Sequence, residues 1–179
     1  MSTATMFSVI REPLPDELEQ LFREHYRLVY RTAYGVTGRT EDAEDVVQTV
    51  FLRLLRRGCP PEVVKNPKAY LYRAAVNLSL DTIKQQQRNV LSGEMERFEA
   101  TLQSNDVDLV ENLHRHLYAA IAQLDSDTAH MLVLRYVHKY SDADIANLLG
   151  KSRGVIAVKL FRARSRLKKL IRALQGESS

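Results

Sequence analysis

One cysteine, seven glycines and five prolines are all that this 179-residue chain holds of the residues that crosslink, bend or break a backbone. A lone thiol, Cys59, forms neither an intrachain disulfide nor a cysteine-rich zinc site. No run of about 18 apolar residues occurs, so no membrane span is expected. The opening stretch, MSTATMFSVIREPLP, lacks a basic segment followed by an apolar core, and the chain reads as cytoplasmic rather than secreted. A Gly-rich phosphate loop and a Ser/His/Asp or Cys/His set are also missing. The five histidines, at 25, 114, 116, 130 and 138, are scattered, and His114 and His116 point to different faces of a helix. They read as surface residues or as core residues with satisfied hydrogen bonds. The expectation is a protein that is not an enzyme and carries no cofactor or metal.

What is present has globular proportions: 45% apolar and 27% charged residues. The net charge of +4 conceals a strong partition. Residues 1–93 carry 13 Lys/Arg against 11 Asp/Glu (+2), residues 94–150 carry 4 against 10 (−6), and residues 151–179 carry 9 against 1 (+8). Between Lys151 and Arg172 there is no acidic residue at all.

Helical spacing dominates the apolar positions. A frayed segment over 1–14 precedes a first helix with Leu18, Leu21, Phe22, Tyr26, Val29 and Ala33, ended by Gly35 and Gly38. Thr40 is the expected N-cap of a second helix over 41–57, with acids at its start, bases at its end and an apolar stripe of Ala43, Val46, Val47, Val50, Phe51 and Leu54. Gly58, Pro60 and Pro61 open a loop of about nine residues. Asn66-Pro67 then reads as N-cap and first helical residue of a third helix to about Arg88, with Tyr70, Leu71, Ala74, Ala75, Leu78 and Ile83 inward. The acid-rich stretch that follows reads as a flexible linker. Helical periodicity resumes near Leu109. Asp125 or Ser126 caps a next helix, Ser141 and Asp144 form a capping box, Gly150 ends that short helix and Ser152 caps a long last one.

The segment 141–167 therefore has the spacing of a helix-turn-helix. Ile145, Ala146, Leu149, Val155, Ile156 and Leu160 are its expected core. Arg153, Lys159, Arg162, Arg166 and Lys169 lie on the other faces, where they suit a phosphate backbone. An acidic protein partner remains the alternative for so basic a helix.

Two further strings extend the reading. EDAEDVVQTVFLRLLRR at 41–57 and NPKAYLYRAAVNLSLDTIKQQQR at 66–88 together resemble the second conserved domain of bacterial sigma factors. The stretch 124–171 resembles their fourth domain, and with little between them the chain is similar to the extracytoplasmic-function (ECF) group. The resemblance implies an all-α protein of two small helical domains. These are a three-helix domain at 15–90 and a helix-turn-helix domain at 110–175, joined by an acidic linker at 91–109 that threads the RNA-exit path. It implies transcription initiation with core RNA polymerase, through the beta-prime clamp helices and the beta flap, together with promoter DNA and an anti-sigma factor as a further partner. A helix-turn-helix regulator acting without core polymerase is the alternative.

Carried residue by residue, the resemblance assigns core-polymerase binding to Asp42, Asp45, Val46, Gln48, Thr49 and Leu52. The acids also suit a helix start, and Val46 also suits a core. Minus-ten DNA falls to Lys68, Tyr70, Arg73, Asn77, Lys84 and Arg88, with Asn77 at the position that holds a flipped base. An amide offers one donor and one acceptor to a base edge, although a helix-interior Asn also bonds to a neighbouring helix. Minus-35 DNA falls to Ser152, Arg153, Lys159, Phe161, Arg162 and Arg166. Val155, Ala157 and Val158 stand where that pattern usually has polar or basic residues; apolar groups there meet thymine methyls or shift recognition toward DNA shape.

Overall fold

The computed structural model describes residues 16–91, 114 and 116–174. The expected frayed segment at 1–14 and nearly all of the linker at 91–109 lie outside the described residues. Seven helices order the rest: α1 (Asp16–Thr37), α2 (Thr40–Arg57), α3 (Pro61–Lys65), α4 (Pro67–Leu91), α5 (Ser126–Tyr136), α6 (Asp142–Leu149) and α7 (Arg153–Leu174). Residues 116–121 are also helical, and no strand occurs among the described residues.

The sequence explains most of the boundaries. Asp16, Glu17 and Glu19 in the first turn of α1 face its positive dipole end. Gly38 ends α1, with φ of +74°, and donates its N–H to Tyr34 O at 2.8 Å. Gly35, expected to share that role, lies instead inside the helix. Thr40 is not a cap either. The N-cap of α2 is Arg39, in extended backbone with no side-chain cap, since a guanidinium carries no acceptor; its own N–H donates to Thr37 Oγ1 at 3.4 Å.

The expected nine-residue loop contains a short helix, α3. Pro61 sits in its first turn, where a missing N–H breaks nothing, and Val63 is buried. Asn66 caps α4 as expected, its Oδ1 accepting from Ala69 N at 3.0 Å.

The first core lies among α1, α2 and α4. Phe22 meets Phe51 edge-on with ring centroids 4.8 Å apart, over Val29, Ala33, Val47, Val50, Leu54, Leu71 and Ala75. Helix α4 carries a second apolar stripe: Tyr72, Val76, Leu80 and Ile83. Together with Val36 of α1, this stripe enters a different core, built with Tyr118, Ile121, Met131, Leu132, Leu134, Ile145, Ile156 and Leu160. The two halves are thus docked on one another, and one helix serves both cores.

In the second half Asp125 caps α5, its carboxylate accepting from Thr128 N at 3.0 Å. The Ser141–Asp144 capping box forms reciprocally at α6. Gly150 follows in the left-handed region, φ +65°. Ser152 Oγ lies 3.4 Å from Val155 N at the start of α7.

Candidate nucleic-acid interface

Helix α7 places one row, Ile156, Leu160, Ala163, Leu167 and Leu170, against the second core. The opposite face carries Val155, Val158 and Arg162, flanked by Phe161 and Arg166. Val155 was expected in the helix-turn-helix core; at 44% exposed it stands outside it, about 100° around the helix from Ile156. Phe161 is 70% exposed, an unusual position for a phenyl ring, and gives the basic face an apolar centre.

The predicted minus-35 residues do not all remain equally free. Ser152 takes part in its cap, and Arg153, Arg162 and Arg166 are exposed. Lys159 turns back to Asp127 of α5 at 3.6 Å, beside Lys151 at 2.9 Å. The Lys151 hydrogen bond, reinforced by both ammonium charges, holds the Asp127 carboxyl below its ordinary range.

On α4, Tyr70, Arg73, Asn77, Lys84 and Arg88 fall within about 60° of arc, at about 100° per residue, and form one stripe. Lys68 leaves the group. It points to the far side, its Nζ 5.4 Å from the ring centroid of Tyr140 in the second half. Tyr72, two positions along from Tyr70, packs inward: it is fully buried and its hydroxyl donates to His130 O at 2.6 Å. Asn77 is exposed, yet its Oδ1 lies 3.1 Å from His130 Nε2 and 3.5 Å from Ser126 Oγ.

On α2, Asp42, Asp45, Gln48, Thr49 and Leu52 share an outward face of about 120°, opposite the apolar stripe. Asp42 also accepts from Gln86 Nε2 of α4 at 3.0 Å. Val46 must be reassigned. At 3% exposed it lies in the first core, so its role is packing and a partner cannot reach it.

Two solvent-facing surfaces in one chain, a helix-turn-helix with a basic outer face and a three-helix unit with a mixed aromatic, amide and basic stripe, match known families. Residues 21–89 match the family model for Sigma-70 region 2, and residues 114–167 match that for Sigma-70 region 4. The ECF RNA polymerase sigma factor SigL of Mycobacterium tuberculosis is 29% identical over 163 residues, covering 88% of this chain and 86% of that protein. SigW of Bacillus subtilis, also an ECF sigma factor, is 26% identical over 157 residues, covering 82% and 84%. The chain belongs to the ECF sigma factors.

Region 2 of this sigma factor spans most of α1 to α4, and region 4 holds residues 116–121, α5, α6 and most of α7. No helix among the described residues is long and apolar enough to cross a membrane. Nor does any group of three or more metal-ligating side chains occur among them.

Sequence reasoning missed the residues that join the two regions. Thr32 Oγ1 lies 2.8 Å from His138 Nε2, and His114 Nε2 lies 3.2 Å from Gly35 O. His138 is 8% exposed. Burial, then the nearby charges of Arg31 and Lys68, push its imidazole down to about 4. Burial and the Arg73 charge likewise lower His130. Both are neutral at physiological pH, as befits rings wedged between two packed halves. The one available signal was Gly35, a helix-weakening residue in the middle of a periodic segment.

Proposed function

We propose that this sigma factor binds core RNA polymerase and brings it to promoters, with residues 15–90 as the polymerase-binding and minus-ten domain and residues 110–175 as the minus-35 domain. The outer face of α2 (Asp42, Asp45, Gln48, Thr49, Leu52) docks on the beta-prime clamp helices. The α4 stripe (Tyr70, Arg73, Asn77, Lys84, Arg88) meets the minus-ten element. Tyr70 offers a stacking ring, Asn77 an amide for a base edge, and the cations hold phosphates. Helix α7 enters the major groove at the minus-35 element with Arg153, Phe161, Arg162 and Arg166, next to the beta flap. Its apolar centre suits thymine methyls. The acidic stretch 91–109 runs where nascent RNA leaves. The protein makes and breaks no bonds itself, works in the cytoplasm, and is held by an anti-sigma factor when idle.

The observation that carries this reading is the pairing, in one chain, of a region 2 match and a region 4 match whose outward faces are the ones the chemistry needs. The test is co-purification with core RNA polymerase. The wild-type chain is retained by core, and Asp45→Ala with Gln48→Ala reduces retention at least tenfold while helicity is unchanged. A chain that footprints duplex DNA alone and ignores core polymerase would overturn the reading in favour of a stand-alone regulator.

A further inference from the structure

Helix α7 changes character along its length. Toward its C-terminal end the exposed side chains are Arg164, Ser165, Arg166, Lys168 and Lys169. Over the first turns the face turned away from the core holds Gly154, Val155, Ala157, Val158 and Phe161, all exposed, with Arg162 at its margin. None of these five carries a side chain that donates or accepts a hydrogen bond. Val158 stands 50% exposed, so water meets an apolar patch that the protein's own fold leaves uncovered. Gly154 adds a second sign. Glycine weakens a helix, yet a Cβ there would meet no atom within 4 Å, so packing within the chain does not call for it. Bare backbone at this tip lets a partner come close.

The surroundings of the patch select the partner. Arg153, Arg162, Arg164 and Arg166 are exposed around it, and no acidic residue occurs between Lys151 and Arg172. Such a frame suits a phosphate backbone. A major groove admits the N-terminal part of a helix, and the apolar group it displays there is the C5 methyl of thymine. Cytosine methylated at C5 displays the same group. Beside the methyl, thymine has the O4 acceptor and 5-methylcytosine the N4 donor. Valine and alanine pair with neither, so both bases lose the same water and neither gains a bond.

We propose that the first turns of α7 read the 5-methyl groups of pyrimidines rather than their hydrogen-bonding edges, and so accept 5-methylcytosine in place of thymine, a specificity that rests on the minus-35 role of α7 given above. The minus-35 element of this sigma factor then carries thymines facing Val155, Ala157 and Val158. Methylation of a cytosine at one of these positions strengthens the site. The arginines hold the backbone and set affinity, whereas the apolar tip sets sequence.

The test uses the full chain bound to core polymerase and a promoter that this holoenzyme selects from genomic DNA. Each T·A pair of the minus-35 element is replaced in turn by U·A, C·G and 5-methyl-C·G, and affinity is measured by competition. A U·A pair keeps every hydrogen-bonding edge and lacks only the methyl. At two or more positions it lowers affinity about fourfold, the equivalent of about 0.8 kcal/mol for one buried CH₂ group. C·G lowers affinity at least as much, and 5-methyl-C·G restores it to the level of T·A. Val155→Ser combined with Val158→Ser makes U·A and T·A bind equally while the salt dependence of binding is unchanged. Both sites are exposed, so the melting midpoint of the double variant stays in place.

Equal affinity for U·A and T·A at every position overturns the proposal and leaves the minus-35 role of α7 standing. So does a 5-methyl-C·G pair that binds as weakly as C·G, which places the reading on the base edge. A double variant that still discriminates the methyl overturns it too, and assigns the patch to a protein partner. A chain that core polymerase ignores, or a holoenzyme indifferent to the minus-35 sequence, overturns the minus-35 reading itself and this specificity with it.

Discussion

At the scale of single residues, His138 is the interface group whose surroundings act most plainly on its proton. His138 faces the Thr32 hydroxyl and the Tyr72 and Tyr140 rings, with Arg31 and Lys68 the charges near it. Its folded value of about 4 lies below the ordinary 6.5, so between these pH values the unfolded chain binds the extra proton. The contribution of the neutral ring is complete above about pH 6.5 and is lost as pH falls toward 4. It amounts to on the order of 3 kcal/mol. Thermal melts should show a midpoint that drops between pH 7.5 and pH 5, and His138→Gln should flatten that dependence. An equally steep curve in the variant would mean that other groups carry it.

The same scale separates two cations of α7. Arg162 is exposed and unpaired among the described contacts, whereas Lys159 shares Asp127 with Lys151. Arg162→Ala should weaken DNA binding and reduce the slope of log K against log salt by about 0.9, one phosphate contact. Lys159→Ala should reduce it by less, because its charge is partly neutralised already. Binding titrations at several salt concentrations check both.

At the scale of elements, most boundaries were legible because short-range chemistry sets them. Asn66-Pro67, the Ser141–Asp144 pair and Gly150 act within one helical turn, so the sequence contains the whole interaction. Ser141→Ala should accordingly cost about 1 kcal/mol and lower the melting midpoint by a few degrees. An unchanged midpoint would mean that the cap adds nothing to the fold. Signals with a second meaning were misread. Two prolines read as breakers, but Pro60 and Pro61 start a helix because a first-turn proline loses no hydrogen bond. Thr40 had the chemistry of a cap, but Arg39 holds the extended backbone that the cap position needs. Val155 had core periodicity, yet the core row of α7 begins one residue later, at Ile156.

At the scale of the whole molecule, the limit on reading was long-range contact. Helix α4 was expected to have one inner face. It has two, and the second stripe, Tyr72, Val76 and Leu80, acquires its meaning only when α5 is packed on it. Val46 is the converse case, a residue assigned to a partner that the domain's own core claims. The stripe of Tyr70, Arg73 and Asn77 and the outer face of α2 were legible, since a residue's face on a helix follows from its number. What could not be read was that His130 would meet Asn77 across 53 positions in the chain. Core packing in the second half carries its own expectation: Ile156→Ala, at a fully buried site, should cost roughly 2–5 kcal/mol and lower the denaturation midpoint in urea. A near-neutral effect would mean that α7 does not anchor this core.

The measurement that bears most directly on the central claim is run-off transcription from a genomic promoter library with purified core polymerase, with and without this chain. The account predicts discrete promoter-dependent transcripts only when the chain is present, and their loss with Asn77→Ala or with Arg162→Ala and Arg166→Ala combined. No promoter-specific transcript from any template, with core polymerase shown active by another sigma factor, would contradict it.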